Sequence, residues 1–148
     1  MCLFTSQQQH ISKELKDYKF FCFNGEPKFI YVSEGLENHS TAKISFVDMN
    51  FKKTKFKRAD YREFDALPEK PINFELMKNL AKILSKGKKF LRVDLYEINK
   101  KVYFGELTFT PCGGYLPFEP GEYDKILGDM FDVGNIKKGK IDLYNYEK

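Results

Sequence analysis

The chain contains no tryptophan, and its 148 residues include only ten glycines and six prolines. With 42% hydrophobic residues and 16% aromatic ones, supplied by Phe and Tyr, that scarcity excludes a disordered or low-complexity polymer. Cysteine is sparse as well: Cys2, Cys22 and Cys112 form an odd set with no CxxC and no Cys/His pairing, so neither a disulfide framework nor a zinc site is implied. The two histidines, His10 and His39, are too isolated for a metal site. No apolar run approaches membrane-spanning length, and the opening MCLFTSQQQHISKELK lacks the apolar stretch and cleavage pattern of a secretory signal. What these absences leave is one globular domain whose simplest home is a reducing cytoplasm.

An excess of one charge is missing too. Twenty-five basic residues are mixed with 21 acidic ones, and the net +4 suits an anionic small ligand without requiring nucleic acid. The basic-aromatic run from Lys52 to Arg58 is the one candidate for a phosphate backbone, with Phe51 and Phe56 as stacking rings. Interleaved Asp48, Asp60, Glu63 and Asp65 argue instead for a solvated face or a patch for an anionic sugar phosphate. Asp48 and Asn50 could line a cleft, but such residues near a strand end usually form turns.

Three segments divide the chain: a polar start over 1–16 with a short helical patch at Ile11–Leu15, a body over 17–133, and a Lys-rich tail over 134–148 ending in a strand-like IDLYNY. Within the body, the run from Tyr18 meets Asn24-Gly25, a strong hairpin turn pair, and Lys28–Val32 is the return strand. Lys43–Phe51 alternates as a further strand. Asn73 as N-cap, Glu75 in the first turn and Leu76, Leu80, Ile83 and Leu84 at helical spacing predict a helix that ends before Gly87. Glu122–Phe131 reads as a second helix with Tyr123, Ile126, Leu127 and Met130 on one side.

The segment from Leu91 to Gly114 carries the chemistry. Two strands, FLRVDLYEI and KVYFGELTFT, flank Asn99-Lys100, and register decides which side chains share a face. A two-residue loop sends Asp94 and Glu106 to opposite faces. A three-residue loop, Asn99–Lys101, sets Asp94 opposite Glu106 and Arg92 opposite Thr108, and leaves Leu91, Val93, Leu107 and Phe109 on the other face. The second register sorts both faces and is the expected one. Two facing carboxylates repel unless a cation lies between them, and Mg²⁺ with nucleotide phosphates suits such a pair beside an arginine. The competing account is a surface ion network with no ligand.

At these residues the sequence resembles the ATP-grasp superfamily, whose C-terminal subdomain carries an R-x-D strand, an E-x-N strand and a Pro-Gly turn. Here the pieces are Arg92-Val93-Asp94, Glu106-Leu107-Thr108 and Pro111-Cys112-Gly113. With DYKFFCFNGEPKFI, the wider text over about Asp17 to Val133 looks like the TupA-like branch of polysaccharide biosynthesis, often labelled glycosyltransferases. The resemblance implies ATP bound with Mg²⁺, phosphorylation of a carboxylate, and attack on the acyl phosphate by an amine or another nucleophile. By position, Asp94 and Glu106 match the metal ligands and Arg92 the residue that steadies the transferring phosphoryl group. Thr108 stands where many relatives have an Asn metal ligand, and Cys112 where they have Gly. Lys19 lies in the first hairpin strand, where the family often places groups facing the nucleotide; a solvated edge lysine is the competing account.

The expected architecture is α+β: an antiparallel sheet of two hairpins and a central strand, packed by helices. The chain lacks the glycine-rich phosphate loop that the resemblance places in an earlier lobe, so it reads as the C-terminal portion of such an enzyme. The alternative is an inactive remnant that binds a sugar phosphate or a partner. Exposed strand edges would let copies pair as a homo-oligomer.

Overall fold

Asn24 and Gly25 both adopt left-handed backbone, φ 52° and 78°, which is what a type I′ turn demands, and they join β1 (Asp17–Phe23) to β2 (Glu26–Glu34). Asn99 and Lys100 do the same, φ 50° and 60°, between β5 (Phe90–Ile98) and β6 (Lys101–Thr108). The computed structural model describes residues 15–130, so the helical patch expected around Ile11 and the strand-like tail lie outside the described residues. With β3 (Lys43–Asp48) these strands form one antiparallel sheet in the order β3-β2-β1-β5-β6. Two-residue strands β4 (Lys57–Arg58) and β7 (Phe118–Glu119) pair with each other as a small second sheet. The helices are α1 (Phe74–Ser85) and α2 (Glu122–Asp129). The architecture is the expected α+β.

Because side chains alternate along a strand, the five-stranded sheet has two faces. One face buries Phe20, Ile30, Val32, Val47, Leu91, Val93 and Leu95 under α1. The helix meets it through Phe74, Met77, Ala81 and Ser85; of the leucines and isoleucine at helical spacing, Leu80 packs against this core while Leu76, Ile83 and Leu84 are exposed. The reason is steric. Ala81 and Ser85 are small enough to let the helix axis approach the sheet, and Phe74 and Met77 fill the space at its other end; each such burial contributes about 1.5–3 kcal/mol. Asn73 precedes the helix but does not cap it with its side chain, which instead donates to Glu97 Oε2 at 2.9 Å and to the Lys100 carbonyl at 2.8 Å, tying α1 to the β5–β6 turn. Gly87, with φ 74°, takes the left-handed turn after the helix.

The other face is aromatic at one end and charged at the other. Phe21, Phe23, Phe29, Phe46, Phe56 and Phe90 form the aromatic half, closed by Leu127 from α2. Asp48 caps a turn, accepting from Asn50 N and Lys52 N at 2.8 and 2.9 Å, so it does not line a cleft. The basic-aromatic run is absorbed into this layer: Phe56 is buried, and Arg58 donates twice to Asp60 while lying 4.9 Å from the Tyr61 ring centre. A buried Phe56 cannot stack on bases.

Candidate functional site

Three neighbouring strands bring the site together. Lys19 in β1 lies directly opposite Asp94 in β5, and Arg92 lies opposite Thr108 in β6. Period-two alternation puts Asp17 and Lys19, then Arg92 and Asp94, on the charged face. The route by which Glu106 joins them differs from the expected one. The loop has two residues, with Ile98 paired to Lys101, so the three-residue loop is corrected. From Leu95↔Phe104 to Ile98↔Lys101 the pairing follows that tight turn, and then it slips by one residue between Val93 and Leu95 before resuming at Val93↔Leu107 and Arg92↔Thr108. A β-bulge inserts one residue into β6 and restores the register that the alternation of faces required.

Gly105 sits at the slip. A Cβ there would lie 2.6 Å from Tyr96 Cε2 and 3.1 Å from the Asp94 carbonyl oxygen, so the Tyr96 ring covers a position that has no room for a side chain. The apolar face is also less complete than the alternation suggests: Leu91 and Val93 are buried, but Leu107 and Phe109 are exposed because α1 does not extend over the edge strand.

The charges form a closed network. Asp94 is 0% exposed. Its Oδ1 accepts from Arg92 Nε at 2.7 Å, and its Oδ2 accepts from Arg92 Nη2 at 2.7 Å and Lys19 Nζ at 2.8 Å. Arg92 Nη2 also donates to Glu106 Oε1 at 2.5 Å, which accepts in addition from the Thr108 hydroxyl at 2.9 Å. The cation between the two carboxylates is therefore the protein's own guanidinium. Lys19 is not an edge lysine: β1 is the middle strand and Lys19 is 9% exposed.

Asp17 is the member that sequence reasoning missed. It accepts from Lys19 through Oδ2, while its buried Oδ1 has no hydrogen-bond partner among the described residues. The available signal was the spacing D-x-K, which places Asp17 on the face of Lys19 once that segment is a strand. Burial raises the Asp17 carboxyl above its ordinary range, against the opposing pull of Lys19. Burial disfavours the Lys19 charge too, yet Asp17 and then Asp94 outweigh it and hold the ammonium protonated. Glu106, by contrast, is held below the usual range by the Thr108 hydroxyl and next by Arg92.

The sign of the Asp17 shift gives a testable pH dependence. A carboxyl raised on folding keeps its proton in the native state after the unfolded chain has lost it, so stability falls as pH rises from 3.8 through the native value. Asp17→Asn has no such proton to lose. Urea unfolding in a pH series should therefore show the variant gaining on the unaltered chain across that interval, and a flat difference would contradict the assignment.

Among the described residues no group of three His, Cys, Asp or Glu side chains is placed to hold a metal ion, and no helix is long and apolar enough to cross a membrane. The Arg-x-Asp strand, the Glu-x-Thr strand and the following Pro-Cys-Gly turn lie where the resemblance to an ATP-grasp subdomain implies, in an α+β fold consistent with one. In agreement, the family model described as TupA-like ATPgrasp matches residues 3–132. The chain belongs to the TupA-like ATP-grasp family. No curated protein and no solved structure matches it.

Proposed function

We propose that Lys19, Arg92, Asp94, Glu106 and Thr108 form the phosphate- and metal-binding wall of an ATP-dependent ligase. Its reaction would transfer the γ-phosphoryl group of ATP to a carboxylate, releasing ADP and leaving an acyl phosphate for an amine or related nucleophile. The observation that carries this reading is the coincidence of the family motif with one connected cluster on three strands. Cell-surface polysaccharide synthesis, the setting of glycosyltransferase-labelled relatives, is supported by the TupA-like text; free thiols at Cys22 and Cys112 suit a cytoplasmic setting.

The donor set fits Mg²⁺ at Glu106. That side chain is 62% exposed, and its Oε1 accepts from Arg92 and Thr108 while Oε2 has no donor among the described residues, which leaves Oε2 for a metal that takes its remaining ligands from phosphate and water. Thr108 donates its proton to Glu106, so its oxygen lone pairs face outward as a weaker donor. Asp94, fully buried and holding Arg92 and Lys19 on its two oxygens, would become a ligand only if the cluster opened to admit the metal. A bound Mg²⁺ would neutralise charge on the phosphate oxygens. Arg92, whose Nε and Nη2 hold Asp94 and Glu106, would meet the transferring group through Nη1, and Lys19, pinned between Asp17 and Asp94, supplies a fixed point charge.

Thermal melting with and without Mg-ATP tests the reading. Ligand at a hundred times its Kd should stabilise the chain by about 2.7 kcal/mol, a rise of roughly 5–11 °C for a domain of this size. Glu106→Gln should leave the unliganded melting temperature within about 1–2 °C, because the side chain is exposed, yet abolish the Mg²⁺ dependence of the shift. No shift in the unaltered chain would favour the rival reading, a binding module without ATP chemistry.

A further inference from the structure

Helix α1 has two exposed flanks, and they differ in kind. At about 3.6 residues per turn, Glu75, Lys78 and Lys82 project to one side of the buried row Phe74, Met77, Ala81 and Ser85. Leu76, Leu80 and Ile83 project to the other side, where the helix carries no charge. The charged flank faces β3, since Lys78 Nζ donates to the Met49 carbonyl at 3.4 Å. The apolar flank therefore faces β6, and Leu80 and Val102 pack against the same core from the two sides.

Beside that flank the strand is uncovered among the described residues. Cross-strand pairing sets Phe104 beside Leu95 and Leu107 beside Val93, on the α1 face, and Phe109 follows just past the end of β6. Leu76, Ile83, Phe104, Leu107 and Phe109 are each 41–68% exposed. Taken at roughly 150–200 Å² for a whole side chain of this size, they leave on the order of 400–550 Å² of apolar surface open. One partner of a standard interface gives roughly 800 Å², of which a little over half, about 450 Å², is apolar. The patch has the size of an interface core.

Its shape selects the partner. Helix α1 lies over β2, β1 and β5, with β1 in the middle, so β6 is two strand spacings to one side, roughly 9.6 Å. Packed helices stand about 8–10 Å apart, so the ledge over β6 has room for one more helix beside α1. The occupant must bring an uncharged apolar ridge that points away from its own sheet. Helix α1 itself carries one, since Leu76 and Ile83 lie on the side turned away from its buried row.

We propose that two copies of this chain associate about a two-fold axis running along the strands, with the α1 ridge of each copy seated on the β6 ledge of the other. Such a contact is isologous and closes on itself. Its register follows from the fold. Asn73 is tied to the β5–β6 turn and Ser85 lies beside Gly25 at the other end of the sheet, so α1 runs along the strands. Cys22 Sγ lies 3.9 Å from the Ala81 carbonyl, which sets Ala81 at the level of Cys22. Leu76 is about 7.5 Å back along the helix axis, roughly two strand residues, at the level of Phe20. Phe20 pairs with Val93 and Val93 with Leu107, so Leu76 of one copy meets Leu107 of the other. The charged faces with Lys19, Arg92 and Glu106 turn outward on both copies, so the association needs no nucleotide and does not depend on the ligase reading.

The test is sedimentation equilibrium of the full chain, without nucleotide, at micromolar concentration. The unaltered chain should show the mass of a dimer. Leu76→Lys and Leu107→Glu, each at an exposed position, should weaken association by about tenfold or more while the dilute chain keeps its melting temperature. Mixing the two variants is the decisive arm. The new ammonium of one then faces the new carboxylate of the other across one contact, the second contact is unaltered, and the mixture should form dimers that neither variant forms alone. If either variant unfolds, Ile83→Lys with Phe109→Glu repeats the cross at the next contact along the helix. A monomeric unaltered chain, a dimer indifferent to Leu76→Lys, as pairing through the backbone edge of β6 would give, or a mixture that stays monomeric would overturn the proposal.

Discussion

Asp94→Asn should cost about 3–5 kcal/mol, the largest loss expected from any single polar substitution in this chain. A domain of this size has about 5–15 kcal/mol to lose, so the variant should show a lowered urea midpoint and partial unfolding near body temperature. The cause is not a lost attraction alone. Asp94 is fully buried and accepts three hydrogen bonds from two cations, and the neutral amide would leave Lys19 and Arg92 short of counter-charge. Asp17 cannot compensate, because it already serves Lys19 and lies beside Tyr96 on the strand ladder, away from Arg92. A stabilised Asp94→Asn would mean that the buried carboxylate repels its neighbours more than it holds them, and the network would have to be redrawn. Glu106→Gln is the internal contrast, an exposed carboxylate whose loss should be felt in ligand binding and hardly in folding.

Gly105→Ala should have the second largest effect, and on both counts. The new methyl would sit 2.6 Å from the Tyr96 ring and 3.1 Å from the Asp94 carbonyl, contacts that require movement. Overpacking of this kind costs about 1–3 kcal/mol. Because the bulge is what swings Glu106 onto the face of Asp94, the same change should weaken any Mg-ATP effect on melting. Part of the strain comes from a side chain and part from backbone, which a double-mutant cycle separates. In a Tyr96→Ala background the cost of Gly105→Ala should shrink but not vanish, and strict additivity would show that the ring contact is not the cause.

The extent to which the chain reveals itself in its text follows from the range of each interaction. The Asn24-Gly25 turn was legible, since Asn-Gly at the hinge of alternating runs reports on backbone geometry two residues wide, whereas the turn at Asn99-Lys100 was expected one residue longer than it is. The association of Arg92, Asp94, Glu106 and Thr108 was legible as a consequence of which face must be buried. The means was not: face alternation demanded a one-residue adjustment, and a longer loop and a bulge satisfy it equally until Gly105 is seen under Tyr96. Helix α1 was legible from its apolar spacing, but its packed side was not: Ala81 and Ser85 meet the sheet with Leu80 beside them, where Leu76 and Ile83 remain outside. Asp17 was invisible for a different reason. Its environment is made by β5, seventy-odd residues away, and only strand order reveals that β1 is central. The β4–β7 pair has two residues per strand, too few for any period to register.

The closed network has a consequence for how fast a nucleotide could arrive. Lys19 and Arg92 face Asp17, Asp94 and Glu106, so with every group ionised the cluster carries one more negative charge than positive. From a distance it is no lure for a polyanion, whatever the net charge of the whole chain. Encounter would proceed without electrostatic steering, at the slower pace of neutral partners and with little response to ionic strength. On the proposed reading attraction would be reserved for contact, when magnesium met Glu106 and the phosphates met Lys19 and Arg92, so discrimination would be exercised in the departure rate of the ligand and not in its approach.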